Sequence, residues 1–181
     1  MKMTSSQAFA ISSHQSTKNW YALYTRPNFE KKVEQELSVM RISSFLPVKK
    51  VWRIWSDRRK LLNEPLFPSY VFVHADSKER YLSLQARGVV RMLTCAGQPS
   101  QISENEIEAI RRIAQSEYPA EAFPYLRAGD HVEIAGGPLA GLRGFVVEQR
   151  RSSYFVISID GLAKSLAISI DARLLKRINK G

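Results

Sequence analysis

The chain has 181 residues, enough for one ordinary domain or two small ones with buried cores. Lys and Arg number 27 against 17 Asp and Glu, and the resulting charge of +10 favours a polyanionic partner, most often nucleic acid. The one cysteine, Cys95, excludes an internal disulfide and a thiolate-rich zinc site, and no apolar run approaches a membrane span. Residues 1–126 carry 18 basic and 12 acidic side chains and residues 127–181 carry 9 and 5, so no single tail accounts for the excess.

Residues 1–17 are polar, serine-rich and aperiodic, and are expected to form a mobile leader. It lacks the apolar core of a secretory signal, since Ala8-Phe9-Ala10-Ile11 is too short, and a cytoplasmic protein is expected. Trp20-Tyr21-Ala22-Leu23-Tyr24-Thr25 predicts a first strand stopped by Pro27. Asn28 is the expected cap of a helix with apolar positions Phe29, Val33, Leu37 and Met40, its other face carrying Glu30, Lys31, Lys32, Glu34 and Glu36.

Extended structure resumes at Phe45-Leu46-Pro47-Val48 and continues through Val51-Trp52-Arg53-Ile54-Trp55 into a hairpin turn near residues 56–59. In Glu64-Pro65-Leu66-Phe67-Pro68-Ser69-Tyr70-Val71-Phe72-Val73 the prolines shape the approach to an alternating strand. There Tyr70 and Phe72 share one face and Val71 and Val73 the other, which yields either ordinary core or an aromatic anchor for a partner protein. Asp76-Ser77-Lys78-Glu79 predicts a capping box opening a short helix with Tyr81, Leu82 and Leu84. Val89–Leu93 is a further strand, with Cys95 beside it as a buried thiol. Ser103-Glu104-Asn105-Glu106 is a second capping box, before a stripe of Ile107, Ile110, Ile113 and Ala114.

The first domain is therefore expected over 18–115 as an α+β unit, a mixed or antiparallel sheet flanked by helices. Pro119 and Pro124 mark residues 116–126 as a linker. Over 127–181 helical periodicity disappears. Alternation at Val132 and Ile134, Phe145 and Val147, Phe155 to Ile159, and Leu166 to Ile170 predicts a small β-barrel. Such strict two-residue alternation also argues against a stable helical alternative for this domain.

No catalytic constellation is evident, and neither an enzyme, a cofactor nor a metal is expected. His14, His74 and His131 show no ligand spacing, and Asp130 and His131 are strand neighbours that point to opposite faces. Gly136-Gly137-Pro138-Leu139-Ala140-Gly141 lacks the Lys-Ser/Thr ending of a phosphate loop and is expected to be a turn. Lys49, Lys50, Arg53, Arg58, Arg59 and Lys60 instead crowd the predicted hairpin with Trp52 and Trp55, a composition suited to phosphates and bases. Charge guarding a sheet edge against aggregation is the competing reading. Arg26, Lys31 and Lys32 form a second basic cluster, Arg87 and Arg91 a third.

Trp20-Tyr21-Ala22-Leu23-Tyr24, the Glu64–Val73 segment and Gly88-Val89-Val90 resemble the N-terminal (NGN) domain of NusG-type transcription elongation factors. Gly129-Asp130-His131-Val132-Glu133-Ile134 and the following run to Gly144 resemble the KOW motif that opens the family's C-terminal SH3-like barrel. The motifs stand in the family's order and the likeness covers roughly residues 18–178. Trp20–Pro27 and Trp55-Ser56-Asp57-Arg58-Arg59 are similar to the specialised UpxY and RfaH branch, whose members act on long polysaccharide operons.

The resemblance implies a bacterial factor that travels with transcription complexes at the nucleoid, a monomer without membrane attachment. It implies docking on the clamp helices of the largest RNA polymerase subunit through Tyr24, Phe67, Tyr70 and Phe72, with Met92 nearby. Arg26, Lys32 and Arg87 match positions used on the non-template DNA strand, and Arg53, Arg58 and Arg59 are the hairpin's candidates for DNA or nascent RNA. Near Glu79-Arg80-Tyr81 the chain departs from the His-Thr-Thr element by which RfaH contacts the opposite jaw of polymerase. Gly129, Asp130, Gly137, Gly141 and Gly144 carry the KOW motif, whose barrel in relatives tethers a small-subunit ribosomal protein or Rho. A housekeeping NusG-like factor and a KOW-type, RNA-binding ribosome-associated protein are the alternatives; an enzyme of polysaccharide synthesis would need a site that no motif supplies.

Overall fold

The computed structural model describes residues 17–55, 58–125, 129–149 and 152–178. The leader expected over 1–17, except Thr17, lies outside the described residues, as do residues 56–57 of the hairpin turn and residue 126 of the linker. The N-terminal part runs β1 (Asn19–Thr25), α1 (Glu30–Val39), β2 (Ser43–Phe45), β3 (Val48–Trp55), β4 (Arg58–Pro65), β5 (Tyr70–Ala75), α2 (Ser77–Ser83) and β6 (Val89–Met92). Short strands β7 (Thr94–Cys95), β8 (Gln98–Pro99) and β9 (Gln101–Ile102) then lead into α3 (Glu104–Gln115).

Strands β2, β5, β1 and β6 lie side by side in that order, and β9 pairs with the start of β1. Every pairing is antiparallel, so the mixed alternative is excluded. Alternation sorts the two faces. Tyr21, Leu23, Val71 and Val73 pack with Val33 and Leu37 of α1, while Trp20, Ala22 and Phe72 pack with Ile107 and Ile110 of α3. Strands β3 and β4 do not join this sheet but form a separate two-stranded ribbon.

Both predicted capping boxes form: Glu79 N donates to Asp76 at 2.8 Å and Glu106 N to Ser103 at 3.3 Å, each with the reciprocal glutamate contact. The first helix departs from expectation. Asn28 takes a left-handed conformation (φ 63°) one residue too early to cap, and Phe29 is the uncapped N-terminal residue. Glu30, expected on the solvated face, is buried and accepts a 2.7 Å bond from Ser69 N, which has φ 67° in the turn before β5. Met40, expected on the apolar face, is exposed. Cys95 is exposed as well, because its neighbours Ala96 (φ 48°) and Gly97 (φ 78°) make the tight hairpin turn between β7 and β8 that lifts it from the core.

The C-terminal part contains β10 (Ala120–Pro124), β11 (Asp130–Ile134), β12 (Arg143–Gln149), β13 (Ser152–Ile159), β14 (Lys164–Ser169) and β15 (Leu175–Arg177), with a 3-10 turn at Asp160–Leu162. They form one antiparallel sheet in the order β10-β14-β13-β12-β11-β15. The expected linker is thus shorter than 116–126. Residues 120–124 extend the C-terminal sheet, where Ala122 opposes Leu166 and Ala120 opposes Ile168.

Helix α3 lies between the two parts. Ile107 and Ile110 pack with the N-terminal sheet, while Glu106 and Arg112 reach the C-terminal part. Arg112 Nη2 donates to Pro138 O and Ala140 O, both at 2.8 Å, and Asp160 N donates to Glu106 Oε1 at 2.7 Å. One cluster of buried side chains runs from Phe72 through Ile110 and Ile113 to Ile134, Phe155 and Leu162. Loss of solvent from this continuous apolar surface is what holds the two parts together.

Candidate functional site

Tyr24 and Tyr70 are opposite one another on β1 and β5, with ring centroids 5.4 Å apart in an edge-on arrangement. The Arg91 guanidinium lies 5.4 Å from the Tyr24 ring centroid, in cation–π range. Both rings are half-buried at the end of the sheet face that α3 leaves open. Burial raises the Tyr70 hydroxyl pKa, reinforced by Tyr24 and opposed by Arg91.

Phe67 and Phe72 share this neighbourhood but are buried, whereas Met92, expected nearby, is buried on the other face of the sheet with Leu23 and Val33. Phe67 meets Phe72 edge-on at 5.9 Å, and Phe72 meets Phe45 at 6.1 Å. These rings therefore set the position of the tyrosine pair from below, and Pro68 and the tyrosines supply the accessible surface. Sequence identified the group but not which members reach solvent.

Arg26, Lys32 and Arg87 are exposed, and local contacts bring their three segments together. Arg26 N donates to Gly88 O at 2.8 Å, and Arg87 N donates to the Glu36 carboxylate. Gly88 has φ +108°, and a Cβ there would come within 2.5 Å of the Phe29 ring, so this close approach requires glycine. The Lys32 ammonium is 5.7 Å from the same ring.

The ribbon's basic residues divide by face. Arg53 makes a two-pronged contact with Glu64, 2.7 Å from Nε and 2.6 Å from Nη2, which raises the arginine's pKa and lowers the carboxylate's. Its charge is already compensated. Register places Lys60 and Arg58 on the face of Arg53, and Arg59 opposite Ile54 on the other. Lys49, counted from sequence among the surface cations, is buried and bonded to the end of α3.

In the C-terminal part Gly137 (φ +78°) and Gly141 (φ +82°) take left-handed conformations in the turn expected from sequence, and Gly129 (φ +123°) has positive φ just before β11. Gly144 has ordinary φ, but a Cβ would stand 2.4 Å from Val156 O on the neighbouring strand. Asp130 pairs with Arg177 at 2.7 Å, and the His131 and Phe145 rings meet across the β11–β12 ladder at 4.6 Å. Among the described residues no group of three His, Cys, Asp or Glu is arranged to hold a metal, and no helix is long and apolar enough to cross a membrane.

A family model described as "Transcription termination factor nusG" matches residues 18–111, more than half of the chain. The chain belongs to the NusG family. The Transcription termination/antitermination protein NusG of Rickettsia conorii is 21% identical over 179 residues, covering 92% of this chain and 93% of that one. Its counterpart from Thermus thermophilus is 24% identical over 151 residues, covering 71% and 81%. A solved structure of domain interaction in Thermotoga maritima NusG shares the fold, with a TM-score of 0.55 and 22% identity over 90% of this chain and 98% of that one.

Membership assigns the two parts. The α+β unit is the NGN domain, and the six-stranded sheet is the KOW domain. Family factors of this kind act with RNA polymerase and are not enzymes. Sequence reasoning missed the residues that join the domains, Glu106, Arg112 and Asp160. Glu106 was visible only as a capping residue, and nothing local distinguishes Arg112 from Arg111.

Proposed function

We propose that this NusG-family factor docks on RNA polymerase through Tyr24 and Tyr70 and suppresses pausing and termination. The observation that carries the reading is the half-exposed tyrosine pair, held over a buried aromatic base of Phe67 and Phe72 and rimmed by Arg91. Rigid aromatic side chains with a dry foundation are the residues that anchor protein interfaces. The occupant we assign is the clamp-helix pair of the largest catalytic subunit.

Arg26, Lys32 and Arg87 then meet the exposed non-template DNA strand, because their segments meet around Phe29 and all three side chains are exposed. Arg58 and Arg59 extend basic surface along the ribbon toward the same strand or nascent RNA, while Arg53 keeps the ribbon in shape through Glu64. Binding one state of polymerase better than another shifts its population, so a clamped, processive state is favoured without chemistry. The KOW domain is the tether for a small-subunit ribosomal protein or Rho.

Within the family, the likeness of Trp20–Pro27 and Trp55–Arg59 to the UpxY and RfaH antiterminators supports an operon-specific role on long polysaccharide genes in the bacterial cytoplasm. The test is chromatin occupancy of the tagged protein beside that of polymerase, with a Tyr24→Ala/Tyr70→Ala double variant. Signal that follows polymerase through one or a few long operons, lost in the double variant, is the expected result. Signal on all transcribed genes makes the chain a general factor; signal that ignores polymerase overturns the docking assignment.

A further inference from the structure

The ribbon's second face carries an exposed apolar stripe at its outer end. Register pairs Lys50 with Asn63, Trp52 with Leu61 and Ile54 with Arg59, so these six side chains share one side. Trp52 is 65% exposed, Ile54 75% and Leu61 43%. A tryptophan and two aliphatic residues held in water on a two-stranded ribbon form a patch of the kind that marks an interaction site. The opposite face is different in kind, with Arg53 tied to Glu64.

We propose that the Trp52 face is a stacking platform for a single-stranded nucleic acid, with Lys50 and Arg59 as its phosphate contacts. Charge decides the occupant. None of the six side chains on this face is acidic, and no ion pair engages Lys50 or Arg59 among the described residues. The cations flank the apolar stripe at its two ends, as a strand needs when its bases turn inward and its backbone outward. Alternate residues on a strand are about 6.7 Å apart, so Lys50, Trp52 and Ile54 are spaced for successive positions along an extended ligand.

Beside the ring, an open groove of about 700 Å³ runs between the ribbon and the end of α3, lined by Lys50, Trp52, Leu61, Asn63, Gln115 and Glu117. The amides of Asn63 and Gln115 can donate to and accept from an unpaired base edge, and the Glu117 carboxylate can accept from an exocyclic amine. A duplex offers none of these groups to a ring on a flat face, since its bases are already stacked and paired. The assignment deepens the nucleic-acid reading of the ribbon and does not depend on polymerase docking.

The test measures binding of the full chain, without polymerase, to fluorescent single-stranded DNA, single-stranded RNA and duplex DNA of one sequence at low salt. Single strands should bind more tightly than duplex, with Trp52 fluorescence quenched on binding. Trp52→Ala should weaken single-strand binding by at least about fivefold, whereas Trp52→Phe should retain most of it. Arg59→Ala should lower the slope of log affinity against log salt by about one. The DNA and RNA arms identify which strand is taken. Equal binding by wild type and a folded Trp52→Ala variant, equal losses on duplex and single strands, or no wild-type binding at all would overturn the assignment. Polymerase co-purification is read separately: normal co-purification with failed strand binding removes this site alone and leaves the docking surface standing.

Discussion

Lys49 Nζ donates to Ser116 O at 2.6 Å and to Ile113 O at 2.9 Å, so one buried ammonium from the base of the ribbon closes the C-terminus of α3. Helix C-termini leave carbonyls without partners and carry negative dipole charge, which suits a cation. Burial nevertheless lowers the Lys49 pKa from its ordinary 10.5. The contact ties three features together: ribbon, helix and the short connector to the KOW domain.

Lys49→Met keeps the aliphatic stem and removes the donor. It should destabilise the protein by about 1–3 kcal/mol, the usual cost of losing charged hydrogen bonds to buried carbonyls. Urea denaturation of wild type and variant measures it. Below pH 10.5 the unfolded chain holds this proton more firmly than the folded one, so Lys49 adds stability as pH rises from its folded value toward 10.5. Lys49→Met should flatten that part of the stability–pH curve.

The domain junction rests on Arg112 and on Gly161. A Cβ at Gly161 would stand 2.4 Å from Gln101 O and 2.7 Å from Ile102 Cγ1, across the boundary between KOW and NGN domains. Gly161→Ala should therefore push the domains apart while leaving each folded, and Arg112→Ala should do so more weakly by releasing Pro138 O and Ala140 O. Amide exchange reads the result as faster exchange at Asp160, whose N–H bonds Glu106 across the junction, with β1 and β13 still protected. Loss of protection throughout both sheets would mean that the domains are one folding unit.

How much of this was legible depends on how local each cause is. The Asp76–Glu79 and Ser103–Glu106 boxes span four residues, and the alternation of Tyr70 to Val73 needs no distant partner, so sequence suffices for them. The split of KOW glycines between turn and strand follows the same rule in part. Gly137 and Gly141 belong to a turn that the glycine cluster announces, whereas Gly144 is fixed by Val156 O on another strand.

Lys49, Glu30 and β10 were misassigned for the converse reason. Lys49 sits in a basic run, and only the distant Ser116 takes it into the interior. Glu30 looks solvated by helical position until Ser69, thirty-nine residues later, claims its carboxylate. Proline-bounded residues 120–124 have a linker's composition, yet as an edge strand they need only one ladder, which β14 provides. Alternation puts Tyr70 and Phe72 on one face, but that Tyr70 stays half-exposed while Phe72 is fully buried depends on α3 covering one end of the sheet, a contact distant in sequence.

Asp171 offers a pH test on the KOW domain. Its carboxylate accepts bonds from the Arg173 guanidinium at 2.5–3.1 Å and from Arg173 N at 2.9 Å, which lower its pKa from 3.8 to about 2. A group with a depressed folded pKa stabilises above its unfolded value and loses that effect as pH falls through the folded one. The relevant window is pH 3.8 down to about 2. Side-chain carboxyl NMR should show a midpoint near the lower limit, and Arg173→Ala should move it up toward 3.8. Because the pair is solvent-exposed, 1 M salt should shift it in the same direction.

Gly88 links fold and proposed function most directly. At φ +108° any side chain is strained, and a Cβ would also strike the Phe29 ring at 2.5 Å. Gly88→Ala must therefore move either Phe29, which opens α1, or the Arg87–Gly88 turn, which accepts Arg26 N. Both movements separate Arg26, Lys32 and Arg87. A loss of about 1–3 kcal/mol in stability is expected from backbone strain of this type. Binding to single-stranded DNA should weaken beyond what any one charge removal produces, since the variant scatters three cations without deleting one. Arg87→Ala is the control: it should cost the affinity of one phosphate contact and leave the denaturation midpoint unchanged. If Gly88→Ala destabilises the protein yet binds DNA as wild type does, the cluster's geometry is irrelevant to the strand, and Arg26, Lys32 and Arg87 are solubilising charge.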